Sequence, residues 1–517
     1  MSLEALRSSL NIPEGSRLQR RLIMATCMLA ASIYSMNLTI VSISLPHMQG
    51  TFSATPDQIA WVVTGFILGL TMMVACIGWI AERFGRKRVY LGCLTVFVFA
   101  SVMCGNARTL EAEVFWRFAQ GISGAGILPL SQSIILDVYP SELHGKALGI
   151  WSLGNMAGPI LAPPIGGYIT ELYGWPTVFD INIPTGLLAL AGSVLFVPTS
   201  PAVKRPLDVV GLVTLVASVG LIQLMVNRGA RLDWFQSTEI VVEFAAALVL
   251  LYVFIVHVMT VRRPFIDTTM FQDRNFTVGI IVITAFGAFS FLPIVTLPLF
   301  LRNLMAYPVE MIGLLLVPRA LGVVMGNLTV GRLIMRIDPR YLVTAGLVCI
   351  VLSSWNVSTW TLDVDTWEIA INGVFQGLGN GLIYVTINTL TFRDLPARHR
   401  PQGVPFFFLT FNLAASVGIA AFITYWVEST QSNHAVLSEY ASPLNDLFRT
   451  GLVPHAWDLK SAATAAALDS VITRQAAMIG FEHAFQVVSL AALLTIPAVY
   501  LLRNPRSRLR RPAPAER

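Results

Sequence analysis

Long apolar segments separated by short polar connections run through this 517-residue chain and restrict it to folds that lie in a membrane. Charged residues make up only 12% of the chain, against about 25% in soluble proteins, so a water-soluble fold of this size could not cover its surface. A spanning helix needs about 20 apolar residues. Fourteen such segments lie near residues 22–45, 58–80, 88–105, 112–135, 145–170, 177–198, 208–227, 239–261, 276–301, 310–334, 341–360, 368–391, 402–427 and 484–502. The sequence therefore predicts an all-α membrane protein with 14 transmembrane helices.

The Lys and Arg residues are distributed unevenly between the two ends of these segments. Only seven of the 35 lie in connections on one side, and two more, Arg117 and Arg319, lie within segments. Cytoplasmic connections are enriched in Lys and Arg, and an even number of helices brings both termini to the same side. We therefore expect both termini in the cytoplasm. The net charge of +6 follows from these connections and does not indicate a nucleic-acid partner.

The sequence contains an internal repeat. Residues 115–126 are echoed by residues 371–381, and residues 78–87 are echoed by residues 331–340. Transporters are commonly built from such repeats. The predicted organisation is given by three ranges: an N-terminal six-helix bundle at 1–200, two inserted transmembrane helices at 201–265, and a C-terminal six-helix bundle at 266–517.

The C-terminal bundle is predicted to contain a long outer loop at residues 427–483. Its second part, residues 457–485, is rich in alanine and favours a helix that runs into the last transmembrane segment. Connections of 2–8 residues are common between helices, so a loop of this length indicates a function of its own.

Arg117 lies inside a predicted transmembrane helix, in the run W-R-F-A-Q-G that also holds Gln120. A charged residue inside the membrane is costly and marks a functional site by default. At about 1.5 Å per residue, Asn37 and Arg117 both lie roughly 22 Å from the inner face of the membrane, so we expect them to meet. The alternative is a structural arginine that binds backbone carbonyls. Arg319 is a second arginine deep in the membrane.

Residues 78–88 read G-W-I-A-E-R-F-G-R-K-R in a predicted cytoplasmic loop. Glycines permit a tight turn and a close helix approach, and Asp137 at a neighbouring helix end can pair with the basic residues. An ordinary basic loop is the alternative interpretation. The candidate gating residues are Gly78, Glu82, Arg83, Gly85, Arg86, Lys87 and Asp137.

Residues 149–167 read G-I-W-S-L-G-N-M-A-G-P-I-L-A-P-P-I-G-G. Small residues let helices pack closely and prolines bend a helix axis, so helix packing alone can explain this pattern. The motif residues are Gly149, Gly154, Gly158, Pro159, Pro163, Gly166 and Gly167.

These segments resemble motifs of the major facilitator superfamily: the loop after the second helix, the helix whose arginine is linked to proton coupling, and the antiporter motif of drug exporters. Over nearly the whole chain, the pattern is similar to the fourteen-helix drug:proton antiporters of the EmrB/QacA type. The resemblance implies a major facilitator fold with two six-helix bundles plus two extra helices. It also implies proton-coupled export of amphipathic compounds from the bacterial inner membrane, with a periplasmic adaptor and an outer-membrane channel as partners.

One departure from that family's pattern bears on proton coupling. The first helix of the family usually carries an aspartate just before T-I-V, where this chain has Asn37. An amide does not titrate near neutral pH, so a family-like mechanism needs another acid. Glu243, Asp180 and Asp137 are the candidates. The alternative for Glu243 and Asp180 is an ordinary position near the outer ends of their helices, and the alternative for Asp137, at an inner end, is pairing with the basic residues 83–88. A facilitator or uptake carrier for a single metabolite, without proton antiport, is the alternative function.

Two other classes find less support in the sequence. A membrane enzyme needs a nucleophile or a paired acid and base, and neither G-x-S-x-G nor H-x4-D occurs; the absence of G-x4-G-K-[ST] disfavours ATP as the energy source. We therefore expect no enzyme activity, cofactor or metal. A sensor or scaffold that binds a partner through the outer loop is a further alternative.

Overall fold

The computed structural model describes residues 16–140, 143–199, 208–261, 264–441, 445 and 461–503, and these ranges contain helices and turns but no β-strand. The α-helices are, in chain order, α1 (Arg17–Thr51), α2 (Pro56–Phe84), α3 (Arg86–Gly105), α4 (Leu110–Gly124), α5 (Ile127–Val138), α6 (His144–Tyr173), α7 (Thr177–Asp180), α8 (Asn182–Phe196), α9 (Val209–Arg228), α10 (Thr238–Thr260), α11 (Arg274–Ser290), α12 (Leu292–Asn303), α13 (Val309–Leu333), α14 (Pro339–Val357), α15 (Thr366–Arg393), α16 (Arg400–Tyr440) and α17 (Ala462–Val499).

Twelve helical segments in the described ranges are long and apolar enough to cross a membrane. Two further helices, α6 with 30 residues and α15 with 28 residues, also have the necessary length. They are less apolar because Gly and Pro in α6, and Gly, Asn and Thr in α15, occupy many positions. The all-α membrane fold is confirmed, and the count of fourteen crossings stays a prediction.

Glycines bring pairs of helices into backbone contact in both parts of the bundle. A Cβ atom at Gly121 would lie 2.1 Å from the carbonyl oxygen of Phe66, so α4 meets α2 at a distance that only glycine permits. A Cβ atom at Gly377 would lie 1.9 Å from the carbonyl oxygen of Arg319, where α15 meets α13. Gly121 and Gly377 follow the repeated glutamines of the internal repeat. The repeat in sequence therefore corresponds to a repeat in packing.

The inserted helices α9 and α10 pack against each other and bridge the two parts of the bundle, since α9 contacts both α2 and α16. Gln223 of α9 donates to the hydroxyl of Ser416 at 3.1 Å. Asp208 caps α9 and accepts from the backbone N–H of Gly211, from His257 Nε2 and from the backbone N–H of Phe265. Partial burial raises the pKa of Asp208, but these hydrogen bonds prevail and hold its pKa below the ordinary value.

The segment predicted as an outer loop contains two helical parts: the helix that the sequence predicted for its second part, and residues 427–440 of α16, which it did not predict as helix. Helix α16 has 41 residues, about 60 Å at ~1.5 Å per residue, whereas the hydrocarbon core is about 30 Å thick. Its far end pairs with the first turns of α17, which continues unbroken from Ala462 into the last transmembrane segment. The predicted alanine-rich helix is thus confirmed from Ala462 onward, while residues 457–460 lie outside the described residues.

The paired ends of α16 and α17 form a two-helix extension, here called the outer hairpin (residues 427–440 and 462–483). Trp426 donates to the carbonyl of Ala477 at 2.8 Å, and His434 bonds Asp469 at 3.0 Å. Arg474 donates to the carbonyl of Leu304 at 2.6 Å and attaches the hairpin to the end of α12. We call this end of the bundle the outer end and the opposite one, where α2 meets α3, the inner end.

Candidate functional site

Arg117 of α4 is fully enclosed in the first half of the bundle, with only 1% of its surface exposed. Its Nη1 donates to Asn37 Oδ1 at 2.7 Å and to Gln120 Oε1 at 2.5 Å, and its Nε donates to the carbonyl of Val62 at 3.3 Å. The guanidinium carbon lies 4.5 Å from the centre of the Phe66 ring, a cation–π contact. The predicted contact between Asn37 and Arg117 is present.

Further neutral polar groups extend this cluster. Gln120 donates to the Ser101 hydroxyl of α3 at 2.6 Å, and the Asn182 amide of α8 donates to the same hydroxyl at 3.3 Å. All of these groups are buried. Because Asn37, Gln120, Ser101 and Asn182 are uncharged, they solvate the guanidinium without neutralising its charge. We call Arg117 and these four residues the Arg117 network.

Glu113, which sequence reasoning missed, lies one helical turn before Arg117 on α4 and has 0% of its surface exposed. Within the described part of the chain, no nitrogen or oxygen donates to either of its carboxylate oxygens. Cys104 of α3 lies beside the carboxylate. The four-residue spacing, which places two side chains on one helical face, could have identified it. The predicted segment began at residue 112, which suggested a helix end near water.

Arg319 of α13 is the corresponding buried arginine in the second half, with 8% of its surface exposed. Its Nε donates to Gln376 Oε1 at 3.0 Å, and its Nη2 donates to the carbonyl of Ser290 at 3.0 Å. That carbonyl is available because the chain breaks between α11 and α12, where Ile294 N–H bonds Phe291 instead. Each half therefore holds one buried arginine bonded to one of the repeated glutamines, Gln120 or Gln376.

The three acids that the sequence offered as proton carriers lie outside the Arg117 network. Glu243 of α10 accepts from Arg228 at 3.0 Å near the outer end. Asp180 is exposed at the end of α7. Asp137 pairs with Arg86 at the inner end, the structural arrangement that the sequence also allowed. The structure does not bring these acids into the Arg117 network, and their role in proton transfer stays untested.

The candidate gating residues lie together at the inner end. Gly85 has φ +89° in the turn between α2 and α3, a backbone conformation that favours glycine. Arg86 bonds both Asp137 and the Ser133 hydroxyl of α5. Lys87 donates to the carbonyl of Val194 in the last turn of α8 at 2.9 Å and to that of Val197, which follows the helix, at 2.6 Å. The guanidinium of Arg83 lies 5.4 Å from the centre of the Trp79 ring.

The same residues join the first half to the second half. Glu82 accepts from Gln402 Nε2 at 2.7 Å, and Asp137 lies 3.9 Å from Arg400. A Cβ atom at Gly78 would lie 2.8 Å from the carbonyl oxygen of Pro401.

A second cross-contact lies deeper in the bundle. Gln132 of α5 and Asn388 of α15 exchange two hydrogen bonds of 3.0 Å, and both side chains are buried. The inner end is therefore held closed by polar contacts at two levels.

The glycines of residues 149–167 bring α6 close to two partners. Cβ atoms at Gly154 and Gly158 would lie 2.6 Å from Met28 Cβ and 2.4 Å from the carbonyl oxygen of Ser32, both on α1. Gly166 faces Ile40 of α1, and Gly149 faces the carbonyl of Asn327 on α13.

The remaining motif positions differ from these glycines. Gly167 has open space around it in the described residues. Pro159 is half-buried, and the side chain of Pro163 lies outside the described part. Four of the five motif glycines thus mark close helix packing.

Comparison with known proteins agrees with this geometry. The family model described as Major Facilitator Superfamily matches residues 27–424. The chain is 30% identical to the multidrug export protein EmrB of Haemophilus influenzae, covering 92% of this chain and 94% of that protein. It is 29% identical to the fatty acid resistance protein FarB of Neisseria gonorrhoeae, over 92% and 95% of the two chains.

Among solved structures, the human organic anion transporter MFSD10 has a TM-score of 0.61 and 12% identity, covering 94% of this chain and 99% of that chain. This likeness concerns the fold. The two helical halves are joined by polar contacts, and each contains a buried arginine. This architecture is that of a membrane transporter. The chain belongs to the Major Facilitator Superfamily and, within it, to the drug:proton antiporter family that includes the EmrB proteins.

We predict that Gly158→Ala destabilises the protein and Gly167→Ala does not. The new methyl group at position 158 would collide with the backbone of α1, whereas position 167 has room. Overpacking of this kind costs about 1–3 kcal/mol. Thermal unfolding of the two purified variants measures the difference, and equal midpoints would contradict this account of the motif.

We also predict that joining Glu82→Cys to Gln402→Cys with a short thiol crosslinker stops transport, because the inner end must open for substrate to enter. Reduction of a cleavable linker should restore transport. Each single-cysteine variant is the control, since the five native cysteines remain in both. Transport that continues in the crosslinked protein would show that this contact does not separate during the cycle.

Proposed function

We propose that this protein exports amphipathic small molecules across the bacterial inner membrane in exchange for protons, with both termini in the cytoplasm. The observation that carries the proposal is the Arg117 network. A buried guanidinium held by neutral side chains inside a membrane bundle is costly, and a task in transport accounts for its presence. Membership of the drug:proton antiporter family and the relatives named as multidrug export proteins support the same function.

The chemistry of the two arginines supports neutral or anionic amphipathic substrates. Arg117 and Arg319 place positive charge in the membrane, one in each half, and their hydrogen-bond acceptors are uncharged. An anionic head group gains from such a charge at low dielectric. A relative named for fatty acid resistance fits this preference.

The contacts at the inner end support transport by alternating access. Glu82–Gln402 and Gln132–Asn388 hold the two halves together on that side. Uptake of substrate from the cytoplasm requires both contacts to separate. When the contacts separate, each polar group replaces its protein partner by water. Opening therefore costs little free energy and is reversible.

The outer hairpin supports a partner in the periplasm. Its α16 arm, residues 427–440, extends about 20 Å at ~1.5 Å per residue, a length better suited to reaching another protein than to covering the transporter's own outer mouth. We infer that it binds a periplasmic adaptor, which in turn connects to an outer-membrane channel. A lid over the outer mouth is the competing explanation.

Arg117→Ala tests the proposed function. We expect the variant to insert normally and to lose export of the dyes ethidium and anilinonaphthalene sulfonate from cells lacking their own drug pumps. Arg108→Ala, an exposed arginine just before the same helix, is the matched control. Dye export at the normal rate by Arg117→Ala would reduce Arg117 to a structural role.

Shortening the outer hairpin tests the adaptor. His434 and Asp469 face each other across the hairpin. A short Gly-Ser linker can therefore join these two residues directly and replace residues 435–468. We expect unchanged dye transport in purified vesicles and lost resistance in cells that contain the adaptor. Lost transport in vesicles, where no adaptor is present, would favour the lid.

A further inference from the structure

We propose that Glu113 is the proton-binding carboxyl of this transporter and that it replaces, on α4, the aspartate that the family usually carries on its first helix. The inference rests on the proposed function and names the residue that couples it to protons. The carboxyl group has moved to a neighbouring helix while remaining next to the same arginine.

The first argument is the position of Glu113. It is fully buried, and within the described residues no nitrogen or oxygen donates to its two oxygens, which leaves the weakly donating Cys104 thiol as the hydrogen-bonding group beside them. Buried polar groups are nearly always bonded, and the exceptions call for an explanation. A carboxyl group that must bind and release a proton provides one, because fixed hydrogen bonds to its charged form would oppose protonation.

The second argument is the charge of its surroundings. Among the described residues, Cys104 of α3 and Arg117 of α4 are the titratable groups that act on the carboxyl. Helix α2 faces this part of α4 with Val62 and Gly65, and the exposed Asp180 of α7 lies at the end of α3, beside Gly105. Burial among these residues favours the neutral acid, and Arg117 favours the carboxylate. Opposing effects of this kind keep both protonation states accessible, which a coupling site needs.

The third argument is the amide at position 37. Asn37 already bonds Arg117 through Oδ1 at 2.7 Å, and its amide nitrogen has no partner in the described part of the chain. An aspartate at this position would place two carboxylates beside one arginine. With Asn37 instead, Glu113 is the one acid beside Arg117, and the net charge of these two side chains is zero when Glu113 is ionised.

The proton step follows from this pairing. A proton from the outer side binds a Glu113 carboxylate oxygen and gives the neutral acid. Arg117 then loses its negative neighbour, and its charge becomes available to an anionic or polar substrate group. Release of the proton towards the cytoplasm restores the negative charge beside Arg117. No bond other than the O–H bond forms or breaks.

Infrared spectroscopy of the full-length protein in liposomes tests the assignment without any substrate. We expect a protonated carboxyl band that disappears as the pH rises, that is absent from Glu113→Gln and that remains in Glu111→Gln. Glu111 is an exposed acid two residues away on the same helix. Glu113→Asp keeps a carboxyl group and should keep a band with a displaced midpoint. An unchanged titration in folded Glu113→Gln would overturn the proposal.

A carboxyl swap tests coupling. We expect Glu113→Gln to lose proton-driven transport of anilinonaphthalene sulfonate in inside-out vesicles, and Asn37→Asp combined with Glu113→Gln to recover part of it. Proton-driven transport by Glu113→Gln at the normal rate would overturn the proposal. If the unmodified protein moves neither this dye nor ethidium, export of these probes fails as a function, and the infrared titration still decides the assignment of Glu113.

Discussion

The burial of Arg117 is the physical constraint on which this site depends. Placing an arginine at the centre of a membrane helix costs about 2.5–3.5 kcal/mol even on the lenient insertion scales. Three hydrogen bonds and the face of Phe66 offset this cost, and they require three helices, α1, α2 and α4, to meet around one side chain. The packing of the first half follows from this requirement.

Close approach of these helices depends on glycines, which have no side chain to hold the backbones apart. Gly121 lets α4 touch the backbone of α2, and Gly154 and Gly158 do the same for α6 against α1. The second half uses the same solution at Gly377, next to Arg319. In a membrane, packing rather than the hydrophobic effect drives helix association, so these glycines both position the arginines and hold each half together. The halves themselves meet through polar contacts, which can separate and reform.

The sequence predicted much of this arrangement from local patterns. Apolar runs of about 20 residues identified the helices, and the depth of Asn37 and Arg117 in their segments predicted their contact. The basic run after α2 offered partners for Asp137, and the structure shows that Arg86 is one of them. These predictions depend on helix geometry, which is fixed at about 1.5 Å per residue. The boundaries were less certain, because a segment such as residues 427–440 is too polar for a membrane yet still forms a helix.

The sequence by itself determined the membrane fold, the repeat and the buried arginine, because each is set by residues close together in the chain. Only the tertiary structure decided which acid lies in the network. Glu243, Asp180 and Asp137 resemble Glu113 in sequence, as carboxylates near predicted helix ends. Whether such a group is exposed, paired or buried without a partner depends on the neighbouring helices. For Glu113 those neighbours are α2 and α3, against which α4 packs, and the side chain is fully buried there.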